Sequence, residues 1–400
     1  MPEMPEMPEM PEMPEMRDTP VMSAPAVASG SRRSPLSLVA AILPFAALAF
    51  APLYLAPYHL LLAGRFLSLG ILAMGIVMVW GQAGVLPLGQ GVFFGLGGYA
   101  IAMHCKLAAL APDELPDFMQ WNGIEAIPWW WKPFASPGVA LAAAVVVPAL
   151  LALVLAWLVF RRRMTSVYIA LITQALALAF ATLLISRQGT TGGFNGLTNF
   201  DTLFGVPLAD ERARRWLHLA TVGLAALAYA FARAVGATQA GRLVTAVRDG
   251  ENRIRFLGYS PAPYKILVFV IAGAFAGIAG ALHTLHLGLI SPAMVGVVPS
   301  IEMVVWVAVG GRTSLYGALI GTVVVNLARD RISSDWPAAW PYLMGLVYIV
   351  VVIAMPRGLS GMLSGAVDRI AARLPGRRAA VPAVIPAATV RTDAEAASHG

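Results

Sequence analysis

The sequence predicts an all-α, polytopic membrane protein with about ten transmembrane helices, and three observations support this. Apolar residues make up 58% of the 400 residues and charged residues only 12%, whereas soluble domains average about 25% charged residues. The mean hydropathy is +0.72. Apolar runs recur between short polar stretches, and about 20 such residues are needed to cross the hydrocarbon core of a bilayer. Since 49 charged side chains (28 basic and 21 acidic) cannot cover a soluble fold of this length, we expect a lipid bilayer around the chain.

The net charge of +7 does not indicate nucleic-acid binding. The basic residues stand in short runs between apolar segments, as they do in the cytoplasmic loops of membrane proteins. We therefore expect no nucleic-acid partner. The single cysteine, Cys105, allows no internal disulfide. The sequence has no His/Cys cluster with metal-ligand spacing, so we predict no metal site and no cofactor.

The two ends of the chain differ from the apolar middle. Residues 1–34 begin with five Met-Pro-Glu repeats, and a proline at every third position prevents a helix, so we predict a disordered extension. Residues 35–365 form the predicted transmembrane domain. The Ala/Pro-rich segment 366–400 is predicted to be a largely disordered cytoplasmic tail.

The apolar segments predict ten spans in order. They cover 36–55, 60–80, 91–110, 138–160, 167–186, 216–235, 266–286, 301–309 with its flank, 315–328 and 340–355. An even number of spans places both termini on one side of the membrane. Assigning that side to the cytoplasm puts the basic run Arg161–Arg163 and the polar stretch 237–265 inside, and it leaves the acidic loop 111–137 outside.

Two glycine-rich breaks interrupt this pattern, at 81–91 and at 310–317. Non-helical backbone at membrane depth persists only where protein or a water-filled cavity satisfies it, so such breaks indicate a transport path. The alternative for each break is a tight turn at the membrane face. Glycines at helical spacing in the seventh and ninth spans are predicted to serve helix packing.

Neutral polar side chains accompany the breaks and are the candidate lining of a path. They are Gln82, Gln90, Thr173, Gln174 and Asn195. Amides donate and accept hydrogen bonds, which suits a small, uncharged, hydrogen-bonding solute better than an ion. The alternative for Gln174 is an interhelical hydrogen bond. Glu302 begins a span, where the helix dipole favours a carboxylate.

The sequence carries no catalytic signature. It lacks a Walker A motif and the HExxH arrangement, and its histidines are scattered among apolar residues. The chain is therefore predicted not to be an enzyme, and any ATP hydrolysis must come from separate partner subunits.

Several motifs resemble those of the branched-chain amino-acid-type ABC importer permeases, the LivM class. The resemblance covers about residues 60–365, and it rests on GQAG at 81–84, LGQG at 88–91, FGLGGYA at 94–100 and AVRD at 246–249. Other stretches, including VYIALITQALAL at 167–178 and GGFNGLT at 192–198, are similar to the urea branch of that family. Pro87 departs from the serine that the family often has in the first break.

The resemblance implies a type II ABC-importer-like permease in a bacterial inner membrane. Implied partners are a second permease subunit, two cytoplasmic ATPases and a periplasmic substrate-binding protein. We expect urea as the substrate, and branched-chain amino acids are the alternative. Residues 241–260 would form the coupling element, in which Leu243, Val244 and Val247 face the ATPase. The other candidate residues of this loop are Arg248, Asp249, Arg253, Arg255 and Gly258, whose arginines either pair with partner carboxylates or only fix the topology.

Overall fold

The protein is described by a computed structural model. It describes residues 43–111, 114–162, 164, 166–200, 202–203, 206–207, 210–339, 342–343, 345–347, 349–350 and 358–361. The chain divides into two compact units, Met1–Pro44 and Phe45–Gly400, and every labelled helix belongs to the second. The predicted domain boundaries at 34/35 and 365/366 lie outside the described residues.

Nine long helices follow one another within the described residues. They are α1 (Pro57–Ile76), α2 (Gln90–Ala108), α3 (Pro137–Arg161), α4 (Ser166–Ser186), α5 (Glu211–Ala237), α6 (Gln239–Phe256), α7 (Pro261–Leu287), α8 (Val297–Gly310) and α9 (Leu315–Asp335). A π-helical turn, Val77–Gln82, continues α1. Four two-residue strands form two small antiparallel pairs, in which β1 (Leu197–Thr198) pairs with β4 (Leu289–Ile290), and β2 (Thr202–Leu203) with β3 (Val206–Pro207).

Six of these helices are long and apolar enough to cross a membrane, among the residues described: α1 with its π turn, α2, α3, α4, α5 and α7. The all-α polytopic fold is confirmed. Burial separates an inner layer of helices from an outer one. In the most apolar 18-residue stretches of α1, α2 and α7, 83%, 78% and 72% of the residues are buried, whereas the share is 28–33% in α3, α4 and α5. The three inner helices form the core, and the outer helices expose their apolar side chains.

Glycines allow the core helices to approach closely. A Cβ on Gly97 of α2 would collide with the backbone of Gly277 in α7, and one on Gly280 would collide with the backbone of Phe94. Gly273 packs in the same way against Pro148 and Ala152 of α3. The packing role predicted for the glycines of α7 is confirmed.

The predicted count of ten spans needs correction at the eighth and ninth. Helices α8 and α9 form a pair bent by 118°, and only together are they long and apolar enough to cross a membrane. Helix α8 has 14 residues, about 21 Å, and is too short to cross alone. Helix α9 ends in the charged sequence Arg329-Asp330-Arg331. The described residues therefore hold six spans, or seven if the bent pair is one. The predicted span 36–55 is described only from residue 43, with a shorter apolar helix at Leu43–Leu53, and the predicted span 340–355 lies largely outside the described residues.

Contacts show that the bent pair returns to the end of the bundle from which it starts. The Tyr58 hydroxyl, at the start of α1, donates to Asp330 Oδ2 near the end of α9 over 3.5 Å. Between α8 and α9, the Arg312 guanidinium lies 5.8 Å from the ring centroid of Trp80, which is at the other end of α1. Helices α8 and α9 therefore form a re-entrant hairpin. We call the two ends of the bundle the Tyr58 end and the Trp80 end.

Candidate functional site

The break between α1 and α2 lies within the helical bundle and is held by hydrogen bonds from its own backbone. The Leu88 amide donates to Thr173 Oγ1 of α4 over 3.2 Å, and the Gly91 amide donates to Ser300 Oγ of α8 over 3.1 Å. Thr173 is seven residues from the start of α4 at Ser166, about 10 Å along the helix. Helix α2 thus begins at membrane depth, and protein groups satisfy the non-helical backbone, as such a position requires.

Three of the predicted path residues accompany this break. Gln90 is 1% exposed, and its Nε2 has no hydrogen-bond partner among the described residues. Thr173 is buried as well, and besides accepting from Leu88 it donates to the Ala170 carbonyl over 2.9 Å. Gln82 ends the π turn, and its buried Oε1 also lacks a partner within the described part of the chain. These amide groups leave hydrogen-bonding capacity beside the break.

The other two predicted path residues lie apart from each other in the structure. Gln174 is half-buried on α4, next to Thr173. Asn195 is exposed in a short 3₁₀ helix, Gly193–Asn195. That segment leads into β1, which pairs with β4 just after α7, so Asn195 lies near the Tyr58 end and away from the break.

A cavity that the sequence did not predict lies between α1, α2, α7 and the re-entrant hairpin. Its volume is about 470 Å³. Two cationic and two anionic side chains line it, together with a histidine and an apolar wall. The charged groups are Arg65, Arg329, Glu302 and Asp330, and the others used below are His283, Phe66, Leu69, Phe94, Met303 and Trp306.

The cavity contains one ion pair and two unpaired donors. Arg329 Nη1 donates to Glu302 Oε2 over 2.5 Å. By contrast, Arg65 Nε and Trp306 Nε1 are buried and have no acceptor among the described residues. Trp306 itself is 4% exposed. A buried donor without an acceptor destabilises a protein by about 1–3 kcal/mol, and both donors belong to side chains that line the cavity.

His283 connects the cavity to α1. The Ser68 hydroxyl donates its single proton to the Arg65 carbonyl oxygen over 2.7 Å. In the 3.4 Å contact between Ser68 Oγ and His283 Nδ1, this arrangement assigns the hydrogen to the histidine. A neutral imidazole with a protonated Nδ1 has its lone pair on Nε2. His283 thus offers an acceptor as well as a wall to the cavity.

The sequence contained one usable signal for this cavity. An arginine within a membrane span, such as Arg65, marks a functional site by default because its burial is unfavourable. Glu302 was explained by the helix dipole alone, and its pairing with Arg329 was not predicted. These residues lie more than 230 positions from Arg65 in the sequence, and only the folded hairpin brings them to it.

At the Trp80 end, three elements meet around Arg248. Its Nη1 donates to the Gly81 carbonyl oxygen in the π turn over 2.5 Å, and its Nε donates to Asp249 Oδ1 over 2.8 Å. Arg312, at the tip of the hairpin, lies over Trp80. Arg248 is therefore bonded within the chain through Nε and Nη1, and its pairing with a partner carboxylate stays a prediction.

The second half of α6 is fixed to α7. The helix is interrupted at Gly250, and beyond it Glu251 accepts hydrogen bonds from Arg255 Nη2 and Lys265 Nζ, each over 2.6 Å. Burial raises the pKa of the Glu251 carboxyl, but the bonds from Arg255 and Lys265 together outweigh it, so that the pKa is lowered. Arg255 is thus also bonded internally, whereas Arg253 is exposed.

The apolar face predicted for docking is wrong at Val244 and Val247. Val244 and Val247 are 1% and 2% exposed, since they pack inside the chain's own fold. The exposed apolar side chains lie further along, at Phe256 (91%), Leu257 (68%) and Tyr259 (48%). They surround Gly258, whose φ of +86° is in the left-handed region that favours glycine.

Interrupted core helices, a re-entrant hairpin and a polar cavity at membrane depth define a polytopic transport protein. Residues 58–355 match the family described as branched-chain amino acid transport system / permease component, and the chain belongs to that family. It is 26% identical over 314 residues to the high-affinity branched-chain amino acid transport system permease protein LivM of Salmonella typhimurium, covering 73% of this chain and 67% of that protein.

Two permease proteins of Escherichia coli are also similar to the chain. LivM of Escherichia coli is likewise 26% identical over 314 residues, with 73% of this chain and 67% of that protein covered. The permease protein LivH of Escherichia coli is 27% identical over 122 residues, or 30% of this chain and 39% of that protein. No solved structure matches the chain.

Proposed function

We propose that this chain is a transmembrane permease subunit of an ATP-binding-cassette importer for branched-chain amino acids. The observation that carries a transport role is the break at 83–89, where a core helix begins at the depth of Thr173 between α4 and α8. Family membership supports the importer type, and both LivM relatives are named for branched-chain amino acids. The chain translocates the substrate and is not itself an enzyme.

The proposed importer contains four kinds of partner besides lipid. These are a second permease subunit, for which the similarity to LivH gives support, two cytoplasmic ATPase subunits and a periplasmic substrate-binding protein. The Trp80 end faces the cytoplasm in this proposal, because Arg248 holds the proposed coupling element at that end through its bond to Gly81. The chain resides in a bacterial inner membrane with both termini in the cytoplasm.

The substrate path runs along the break. Gln90 and Gln82 carry unpaired amide atoms there, and Thr173 and Gln174 continue the polar surface onto α4. Unpaired amides at membrane depth need a partner in a cavity or in another protein chain. Asn195 lies at the opposite end and would contact the solute only at its entry.

The segment 241–260 forms the proposed coupling element. Its contact with an ATPase groove is made by Phe256, Leu257 and Tyr259, which are the large exposed apolar residues of the segment. Arg253 adds an exposed cation for partner carboxylates. Val247, Arg248, Asp249 and Arg255 serve inside the chain, where they fix the element to α1 and α7, and Gly258 provides the turn.

Urea is the second candidate substrate. The neutral amides Gln82 and Gln90 beside the break favour an uncharged solute, and several motifs resemble the urea permease UrtC. The named relatives do not support urea, and the paired charges of the cavity suit an amino acid better.

A competition experiment in cells separates the two substrates. Uptake of labelled leucine is measured in a strain whose own transporters are deleted and which expresses the full importer. We expect uptake that needs this chain, is competed by isoleucine and valine, and is unchanged by excess urea. Uptake of labelled urea without leucine uptake would transfer the assignment to urea.

A further inference from the structure

We infer that the cavity between α1 and the re-entrant hairpin binds the charged head group of an α-amino acid. The substrate carboxylate is held by Arg65 Nε and Trp306 Nε1, and the ammonium lies toward Glu302 and Asp330. This inference rests on the proposed function and assigns a specific site to it. It also explains why two donors in one cavity are buried without an acceptor.

The unpaired donors define the anionic half of the site. Arg65 belongs to α1 and Trp306 to α8, so side chains that carry an unpaired N–H line the cavity from two different elements. A carboxylate has two oxygens and only accepts hydrogen bonds, and a hydrogen bond to a charged group contributes more than one between neutral groups. A single carboxylate can therefore satisfy both donors.

The remaining lining matches the rest of such a ligand. The four charged residues carry two positive and two negative charges, so a zwitterion leaves the cavity neutral, whereas a simple anion or cation does not. His283 adds a polar ring to the lining, in the tautomer with its lone pair on Nε2. Phe66, Leu69, Phe94 and Met303 supply an apolar wall for an aliphatic side chain, and about 470 Å³ is within the usual size of small-molecule pockets.

The position of the site links it to the hairpin. Glu302 and Trp306 lie on α8, and Arg329 and Asp330 lie on α9, so the hairpin supplies four of the polar groups that face Arg65. The tip of the same hairpin contacts Trp80 through Arg312, beside Arg248. A displacement of the hairpin at that tip would separate the two halves of the site and release the ligand.

Direct binding of leucine to the permease–ATPase complex tests the site. The substrate-binding protein is left out so that its own binding of leucine does not contribute. Labelled leucine is titrated onto the permease–ATPase complex purified in detergent without that protein, and leucinamide, which lacks the carboxylate, is the competitor. Trp306→Phe removes the indole N–H but keeps an aromatic ring, and Arg65→Gln removes the charge. We expect each variant to bind leucine about tenfold more weakly, and to lose most of the preference for leucine over leucinamide.

Two exposed residues provide matched control variants. Trp121→Phe changes a tryptophan that is 84% exposed, and Arg215→Gln changes an exposed arginine on α5, so both should bind leucine as the wild type does. Size-exclusion profiles identify variants that fail to assemble. If wild-type complex binds leucine and both cavity variants keep its affinity and its preference over leucinamide, the site is wrong while the proposed function stands. If the wild-type importer transports no amino acid, both are wrong.

Discussion

Arg248 Nη1 donates a hydrogen bond to the backbone carbonyl oxygen of Gly81 over 2.5 Å, which joins α6 to the last turn of α1. Gly81 lies in the π turn that precedes the break, and the Arg312 backbone at the hairpin tip packs against it. The segment proposed to contact an ATPase is therefore joined to the interrupted core helix by the hydrogen bond of Arg248. A movement of α6 would reach the break and the hairpin tip through this contact.

Arg248→Met is expected to uncouple ATP hydrolysis from transport. The change removes the bond to Gly81 and the ion pair with Asp249 but keeps most of the aliphatic stem. Since a hydrogen bond from a charged group contributes about 1.5–3 kcal/mol, we expect leucine uptake to fall about tenfold while the ATPases stay bound. Arg242→Met on the same helix is the control, because Arg242 is exposed. Equal behaviour of the two variants would contradict a coupling role.

Phe256→Ser is expected to weaken ATPase binding with little effect on folding. Phe256 is 91% exposed, so its removal sacrifices almost no packing inside the chain. A hot-spot side chain at the centre of an interface contributes about 2 kcal/mol or more to binding. Co-purification of the ATPase subunits is the measurement, and Phe194→Ser, at a phenylalanine 73% exposed in the loop after α4, is the control. Undiminished co-purification with Phe256→Ser would place the docking surface elsewhere.

Thr173→Val is expected to destabilise the break, and Thr173→Ser to be tolerated. Valine has no acceptor for the Leu88 amide, and an unpaired buried amide destabilises by about 1–3 kcal/mol. We expect a lower thermal-unfolding midpoint in detergent and reduced leucine uptake for the Thr173→Val variant but not for Thr173→Ser. Thr182→Val changes an exposed threonine on the same helix, whose hydroxyl bonds only to the Leu178 carbonyl, and it controls for the loss of a hydroxyl. A valine variant with wild-type stability would show that this bond does not hold the break.

Acidification is expected to loosen the attachment of α6 to α7. The pKa of Glu251 is lowered in the folded protein from the ordinary value of 4.5, because the bonds from Arg255 and Lys265 outweigh burial. A lowered folded-state pKa means that the stabilising contribution is complete above about pH 4.5 and is lost as the pH falls through the folded-state pKa. Glu251→Gln should reduce the pH dependence of hydrogen exchange in 251–256 over that range. The exposed pair Glu211–Arg215 provides the control variant, Glu211→Gln, and an identical pH profile in the wild type and Glu251→Gln would contradict the assignment.

Local patterns were sufficient to predict much of the fold. The glycine spacing of α7 predicted close helix packing, and the glycine-rich run at 81–91 predicted an interrupted helix, since both effects depend on backbone geometry within one segment. The spacing of Val244 and Val247 predicted an amphipathic α6 correctly. It did not reveal which partner covers the apolar face, because the helix periodicity is the same whether that partner is another chain or this one.

The candidate binding cavity depends on contacts that no local pattern records. Hydropathy measures the length and composition of a segment but not its direction, so α8 and α9 were predicted as two separate spans rather than a hairpin bent by 118°. Arg65 and Trp306 line one cavity only because this hairpin folds back against α1. A lone carboxylate such as Glu302 is also compatible with a helix-dipole explanation until its partner is known.

ATP-driven accumulation of labelled leucine in proteoliposomes tests the central claim most directly. The vesicles contain this chain, a second permease and the ATPases, with the binding protein added on the side opposite to ATP. We predict that leucine accumulates above its external concentration only when ATP is present, that urea does not, and that Trp306→Phe lowers the uptake while Trp121→Phe does not. Accumulation of urea in place of leucine, or leucine entry that is independent of ATP, would contradict the account.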